Sequence, residues 1–254
     1  MSPWPYPLWI AHRGAGKLAP ENTLAAFRLG AAHGYRAFEC DVKLSADGVP
    51  FLLHDATLER TTPECGTAGD RPWSDLSRID AGGWLGRQWA GEPLPSLAAI
   101  ATYVQRNGFV LDLEIKPTPG AEHVTGVAVA RACAELWRGG ATPPPLLSSF
   151  RPEALQGALE TAPALPRALL LDTLWNGWEG IAKALGCVAV ITHYGLMTAE
   201  LIGRLHAAGM RALCYTVNDP AEARRLLALP DGGIDGIITD AVDRFSPDAV
   251  GVFD

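Results

Sequence analysis

Five short motifs hold most of the side chains in this sequence that could do chemistry. They are His12-Arg13-Gly14, Glu21-Asn22-Thr23, Glu39-Cys40-Asp41, His54-Asp55 and Leu113-Glu114-Ile115-Lys116. Successive side chains of a strand point to opposite faces. Glu39 and Asp41 therefore share one face of an apolar run, with Phe38, Cys40 and Val42 on the other. The same parity sets Glu114 beside Lys116, with Leu113 and Ile115 opposite. Carboxylates, imidazoles and cations gathered into one space repel or desolvate at high cost unless further charge sits among them. A hard divalent cation and a phosphate ester would supply that charge.

Hydrolysis of a phosphodiester needs one proton taken from the nucleophile and one delivered to the leaving alcohol. Imidazole titrates in the right range for both, so His12 and His54 are the candidates for general acid and base. Arg13 offers a planar fork, and Lys116 a point charge, to the non-bridging phosphate oxygens. Charge counting agrees. Glu39, Asp41 and Glu114 against one divalent ion leave a single negative charge, a phosphodiester adds another, and Arg13 with Lys116 cancels both. A ligand set of three oxygens only, with no cysteine among them and no nearby histidine pair, favours Mg²⁺ or Ca²⁺ over Zn²⁺. Taken alone, however, a Glu-x-Asp pair fits ordinary ion pairing at a strand end as readily as ligation.

Other polar residues stay open on the residues alone. Glu21 and Asn22 sit at a helix start, where capping and ligand contact both fit. Asp55 either orients His54 or begins the following loop. Asp112 shares the strand face of Glu114 and lies inside, without an assigned role. His33, His123 and His206 fall on predicted helices and read as structural hydrogen-bonders, whereas His193 ends a strand with its role undecided.

The elements that must position these groups alternate strand and helix. Strands are predicted at 8–12, 37–44, 109–116, 146–150, 167–171, 188–193, 211–217 and 236–239, with a further extended segment at 49–54 after the Asp47-Gly48 turn. Helices are predicted at 24–32, 97–104, 121–137, 152–160, 180–185, 199–208 and 221–229. Asp219-Pro220 supplies an N-cap and a first-turn proline for the last of them. Such alternation predicts a single-domain (β/α)₈ TIM barrel over residues 1–254, with functional groups at the C-terminal strand ends. Residues 56–95 break the rhythm, containing Trp73, Trp84 and Trp89 but no long periodic segment. That stretch reads as a small insertion over the barrel mouth. It either shapes the pocket for the leaving alcohol or is an aromatic-stapled excursion without ligand contact.

The chain has 254 residues, 48% of them hydrophobic, enough for one sizeable core. A formal charge of −7 argues against a nucleic-acid partner but not against a small phosphate ester, which meets only local charge. The apolar runs are of strand length, so no membrane insertion is expected. His12 lies too near the start for a leader to be cleaved without losing it, and the expected location is the cytoplasm. Five scattered cysteines, with no CxxC pair, read as small buried apolar residues in a reducing compartment. Nothing in the sequence supports an oligomer.

In order and spacing, the five motifs resemble those of the glycerophosphodiester phosphodiesterase family, in its short bacterial form. The resemblance runs on through Ser148-Ser149-Phe150, Thr216-Val217-Asn218 and the closing Ile234-Asp235-Gly236-Ile237-Ile238-Thr239-Asp240. It implies metal-dependent hydrolysis of a glycerophosphodiester to glycerol 3-phosphate and an alcohol. It also implies Glu39, Asp41 and Glu114 as ligands of one Mg²⁺ or Ca²⁺, and His12 and His54 as the proton-transfer pair. Phe150 matches an aromatic that follows the serine pair, suited to the glycerol carbons. Tyr215 departs from the family, which usually has Trp before Thr-Val-Asn, so the aromatic wall is shorter and carries a hydroxyl. Two other readings remain: a lysophospholipid- or phosphoinositide-directed phosphodiesterase on the same fold, and a non-catalytic phosphate-ester binder. The residues leave open whether water or the glycerol 2-hydroxyl attacks phosphorus.

Overall fold

The computed structural model describes residues 4–230, 233–245 and 247. Strand β1 (Trp9–Ala11) is followed by helix α1 (Leu24–Ala32), strand β2 (Ala37–Leu44) and a short strand β3 (Pro50–Leu52). A four-residue helix α2 (Trp73–Leu76) precedes α3 (Leu97–Arg106). The alternation then becomes regular: β4 (Val110–Ile115), α4 (Glu122–Leu136), β5 (Leu146–Ser149), α5 (Pro152–Thr161), β6 (Arg167–Leu171) and α6 (Trp178–Ala184). It ends with β7 (Ala189–His193), α7 (Ala199–Ala207), β8 (Arg211–Tyr215), α8 (Pro220–Leu227) and β9 (Gly236–Thr239). The expected elements are present, with boundaries moved by a residue or two where caps intervene. Helix α6, for example, starts behind Gly177, whose φ of 92° suits a residue without a side chain.

All strands but β3 run parallel in one sheet, ordered β1-β9-β8-β7-β6-β5-β4-β2, and pairing of Ala11 with Phe38 closes it into a (β/α)₈ barrel. β3 folds back antiparallel on β2 after the Asp47-Gly48 turn, outside the barrel wall. Parity divides the wall. Outward residues such as Trp9, Ala11, Phe38, Cys40 and Val42 pack under the helices. Inward Ile10, Ala37, Val110, Leu146, Ala168, Ile191, Leu213 and Ile238 fill the interior, with Tyr6 packed in the same cluster. Strands buried on both faces read as continuous apolar runs, as Ala168 to Leu171 do in β6. The inward row turns polar toward the C-terminal ends: Ala37 is followed by Glu39, Asp41 and Lys43, and Val110 by Asp112 and Glu114. The register pairs Glu39 with Asp112 and Asp41 with Glu114, which puts these carboxylates at two levels of the same corner.

Two close approaches fix the loop after β1. A side chain on Gly30 of α1 would come within 2.1 Å of the Gly14 carbonyl, and Gly14 itself has φ +97°. The loop can therefore lie directly on α1, which starts from a Thr23 side-chain cap to the Ala26 N–H. Arg13 (φ 51°) and Asn22 (φ 60°) both occupy the left-handed region, a cost that hydrogen bonds within the site offset.

The insertion shares a separate small core with β3 and Leu53. Phe51, Leu53, Leu58, Ala68, Leu76, Ile79, Ala81 and Leu94 form it, with Trp73 tilted against Phe51 at 6.0 Å. Short helical turns within it escaped the sequence reading because each is too short to show a period. The insertion is tied to the barrel by Glu92, which accepts from the Ala25 N–H in the first turn of α1 at 2.9 Å.

Candidate active site

At the C-terminal end of the barrel lies a cavity of about 210 Å³. His12, Arg13, Glu39, His54, Glu114, Lys116, Phe150 and Tyr215 all line it. Asp41 is the one candidate that does not reach the cavity wall. It is 1% exposed and is held from behind, accepting from Asn22 Nδ2 at 2.8 Å while its own N–H donates to Asn22 Oδ1. The side chains singled out from the sequence thus converge, although they come from loops and strands more than 200 residues apart.

One oxygen each from Glu39, Asp41 and Glu114 lies within 4.8 Å of the others. Burial pushes the Glu39 carboxyl well above the usual carboxylate range, reinforced by Asp41, Asp112 and Glu114. Burial and Asp41 likewise push Glu114 up to about 7. Burial opposes ionisation of Asp41 too, but Arg13, Lys116 and His54 outweigh it and hold that carboxyl far below its ordinary value. The donor set is thus one firm carboxylate and two that lack sufficient positive charge. An oxygen-only cluster short of countercharge fits a hard divalent cation.

The cations are arranged on the rim of this cluster. Lys116 Nζ donates to Glu114 at 2.8 Å, stands 3.5 Å from Asp41 and lies over the Phe150 ring. Arg13 Nη1 donates to Glu21 at 2.9 Å, its Nε lies 3.3 Å from Asp41, and its backbone N–H donates to Glu39. Behind them Lys43, 1% exposed, donates to the Lys116 carbonyl, and burial pushes its amine down to about 8. Lys43 was missed, although strand parity already put it on the face of Glu39 and Asp41. Asp112 is buried, accepts from Ser148 Oγ at 2.7 Å, and is pushed up to about 7 by burial.

Each candidate histidine has one ring nitrogen committed to a carboxylate. His12 Nδ1 lies 2.6 Å from Asp240 Oδ1, and Asp240 is held in turn by the Asn218 side chain through Oδ2 at 2.9 Å and through its own N–H at 2.8 Å. His54 Nδ1 lies 2.6 Å from Asp55 Oδ1, so Asp55 orients His54. Burial, Arg13 and Lys116 push His54 below its ordinary pKa against the opposing pull of Asp41 and Asp55. Neither Glu21 nor Asn22 caps α1; Thr23 does, freeing Glu21 for arginines and Asn22 for Asp41.

Phe150 and Tyr215 meet edge to face, with ring centroids 5.7 Å apart, and form the apolar wall. The Tyr215 hydroxyl donates to the Leu171 carbonyl, so its extra polar group is engaged by backbone. His193 does not line the cavity; its Nδ1 accepts from the Gly195 N–H in the turn after β7. His123 pairs with Glu160 and His206 with Asp235, as structural hydrogen-bonders.

A second chamber of about 630 Å³ opens beside the first and shares His54, Glu114, Lys116, Phe150 and Leu170 with it. The root of the insertion contributes only Ala56 to its lining, next to Asp55. Trp84 and Trp89 line neither cavity: the Trp84 indole donates to the Ala81 carbonyl, and Trp89 packs against the main core. Besides Phe150, Trp175 from the loop after β6 is an aromatic at the chamber wall.

Barrel, acidic cluster and paired histidines define a hydrolase of phosphate esters. A model of the glycerophosphoryl diester phosphodiesterase family matches residues 12–244, and the chain belongs to that family. It is 31% identical over 238 residues to a glycerophosphodiester phosphodiesterase of Caldanaerobacter subterraneus subsp. tengcongensis, covering 92% of this chain and 93% of that one. An Oleispira antarctica phosphodiesterase, solved with the product sn-glycerol-3-phosphate, superposes with a TM-score of 0.84 at 32% identity over 92% and 93% of the two chains. A glycerophosphodiester phosphodiesterase from Agrobacterium tumefaciens superposes with a TM-score of 0.77 at 28% identity, covering 93% and 97%.

Proposed function

We propose that the protein hydrolyses glycerophosphodiesters to glycerol 3-phosphate and an alcohol, with Glu39, Asp41 and Glu114 holding one Mg²⁺ or Ca²⁺. The cation, when bound, neutralises the carboxylates and polarises a phosphoryl oxygen. Arg13 and Lys116 take the non-bridging oxygens, since both already stand at the edge of the acidic cluster. With Nδ1 committed to Asp240 and Asp55, His12 and His54 each present Nε2 to the cavity. A neutral histidine whose Nδ1–H is engaged by a carboxylate has its lone pair at Nε2, and the protonated partner donates from the same atom. One removes a proton from the nucleophile while the other returns one to the leaving oxygen. Phe150 and Tyr215 shelter the glycerol carbons, and the larger chamber receives the alcohol.

The observation that carries this reading is the pair of carboxylate-clamped histidines facing one acidic cluster in one cavity. Binding alone would need no proton shuttles. Among the described residues no helix is long and apolar enough to cross a membrane, and a small cytoplasmic substrate is the proposed partner. The deciding experiment couples glycerol 3-phosphate release from glycerophosphocholine to a dehydrogenase, with and without EDTA. Release that EDTA stops and Mg²⁺ or Ca²⁺ restores is expected. No release with either ion would sink the reading.

A further inference from the structure

Arg60 lies in the inserted segment, lines neither cavity, and takes no part in the chemistry described above. Its guanidinium nevertheless makes four hydrogen bonds to two carboxylates. Nε donates to Asp55 Oδ2 at 2.5 Å and Nη2 to Asp55 Oδ1 at 3.2 Å. Nη1 donates to Glu21 Oε2 and Nη2 to Glu21 Oε1, both at 2.7 Å. Each carboxylate also grips a residue that faces substrate. Asp55 Oδ1 is 2.6 Å from His54 Nδ1, and Glu21 Oε1 is 2.9 Å from Arg13 Nη1.

From this geometry we infer that Arg60 is a positioning residue that sets His54 and Arg13 relative to each other. It is the means by which the insertion takes part in catalysis. The inference rests on the proposed phosphodiester chemistry for what His54 and Arg13 do. Glu21 and Asp55 carry two negative charges, and Arg13 and Arg60 balance them. Without Arg60, Glu21 has Arg13 alone to pair with and draws it away from phosphate. Asp55, released at the same time, lets the His54 ring turn and its tautomer mix. A lysine cannot replace the fork, because one ammonium does not span two carboxylates with paired donors. With its side chain 44% exposed, Arg60 leaves a gap that a guanidinium ion from solution can enter.

The test compares Arg60→Ala and Arg60→Lys with Arg71→Ala. Arg71 serves as control because its side-chain hydrogen bonds, to Glu64 and the Cys65 carbonyl, stay within the same segment and share no partner with those of Arg60. Arg60→Ala should lower kcat/KM about 10–100-fold, the usual cost of losing an orienting partner. The loss should fall on kcat, through His54, and on KM, through Arg13. Guanidinium chloride at non-denaturing concentration should restore much of it, and Arg60→Lys should recover only part. Arg71→Ala should keep the wild-type rate. Combining Arg60→Ala with Glu21→Gln should cost less than the product of the two single effects. Without any substrate, nitrogen-15 shifts of the His54 ring should change from one tautomer to a mixture in Arg60→Ala. A loss within about twofold of wild type overturns the inference. So does a loss that guanidinium leaves untouched and that is matched by a fall in melting temperature shared with Arg71→Ala. If wild type releases no glycerol 3-phosphate, the proposed function falls, and the His54 ring shifts still decide the role of Arg60.

Discussion

His12 Nδ1 and Asp240 Oδ1 lie 2.6 Å apart although 228 positions separate them in the chain. The pair bridges the first and last barrel strands, whose own pairing of Ala11 with Thr239 brings the two residues side by side. Closure of the barrel and orientation of the proposed proton-transfer group His12 are therefore one event. Asp240→Asn preserves the shape but offers the ring an amide, which tolerates either tautomer. The expected outcome is a kcat reduced about 10²-fold or more, by analogy of role with the buried aspartate of serine-protease triads, at near wild-type cation affinity. Steady-state kinetics beside calorimetry of the cation measures both.

Removing one carboxylate from the acidic cluster takes away a proposed cation ligand and relieves repulsion among the others. Glu114→Gln and Asp41→Asn should both weaken Mg²⁺ or Ca²⁺ binding in calorimetric titration. Asp41→Asn should be the more severe, because Asp41 is the member held ionised by Arg13 and Lys116. Affinities equal to wild type in both variants would remove the cluster from consideration.

His12→Ala and His54→Ala should each lower kcat by roughly 10²–10⁴ with melting temperature preserved, the usual worth of a proton-transfer group. The double variant should lose less than the product of the single losses, since both groups serve one reaction. A change under about tenfold in either single variant dismisses that residue from the proton-transfer pair.

Burial, Arg13 and Lys116 lower the His54 pKa from its ordinary value. Its neutral form is complete above the unfolded value of about 6.5 and is lost only as pH falls through the lower folded value. A cation on the carboxylates acts in the same direction. The kcat/KM profile should therefore show an inflection below about 6.5, as an acid limb if His54 accepts the first proton and as an alkaline limb if it donates. Asp55→Asn removes a partner that raises the His54 pKa, so the inflection should move further down. An inflection moving upward would contradict this electrostatic account.

Much of this site was legible because strand parity is local. Glu39 with Asp41, and Glu114 with Lys116, share a face by spacing alone, and the structure keeps both pairs. Parity equally marks Lys43, although lysine is a residue type almost never fully buried. The partners of the histidines were less accessible. Asp55 adjoins His54 and could be weighed beforehand, whereas Asp240 and Asn218 reach His12 only through barrel closure. Arg60 sits in a segment without period, so no pattern could show that it clamps Glu21. Whether the insertion's tryptophans reach ligand was open in the sequence for a related reason. Proximity of the segment's root to His54 says nothing about where its later residues turn: Trp73 packs on the segment's own cluster, Trp89 on the main core, and Trp84 stays exposed.

Head-group selectivity should therefore follow Trp175 and not Trp84. Trp175 is 38% exposed and lines the larger chamber, which shares His54 and Phe150 with the smaller cavity. Trp84, though 42% exposed, lines neither cavity and turns its indole N–H to the Ala81 carbonyl. An indole face at a chamber wall offers apolar area to any alcohol and extra attraction to a cationic one. Trp175→Ala should lower kcat/KM for glycerophosphocholine more than for a glycerol diester, by a factor of about 2–5, the worth of an exposed cation–π contact. Trp84→Ala should leave that ratio unchanged and act, if at all, on melting temperature. Cation affinity should be unaffected in both, because an indole supplies no oxygen ligand to a hard cation. Competition between choline, ethanolamine and glycerol diesters in one reaction mixture gives the ratio directly. A shift with Trp84→Ala and none with Trp175→Ala would return the leaving-group pocket to the insertion.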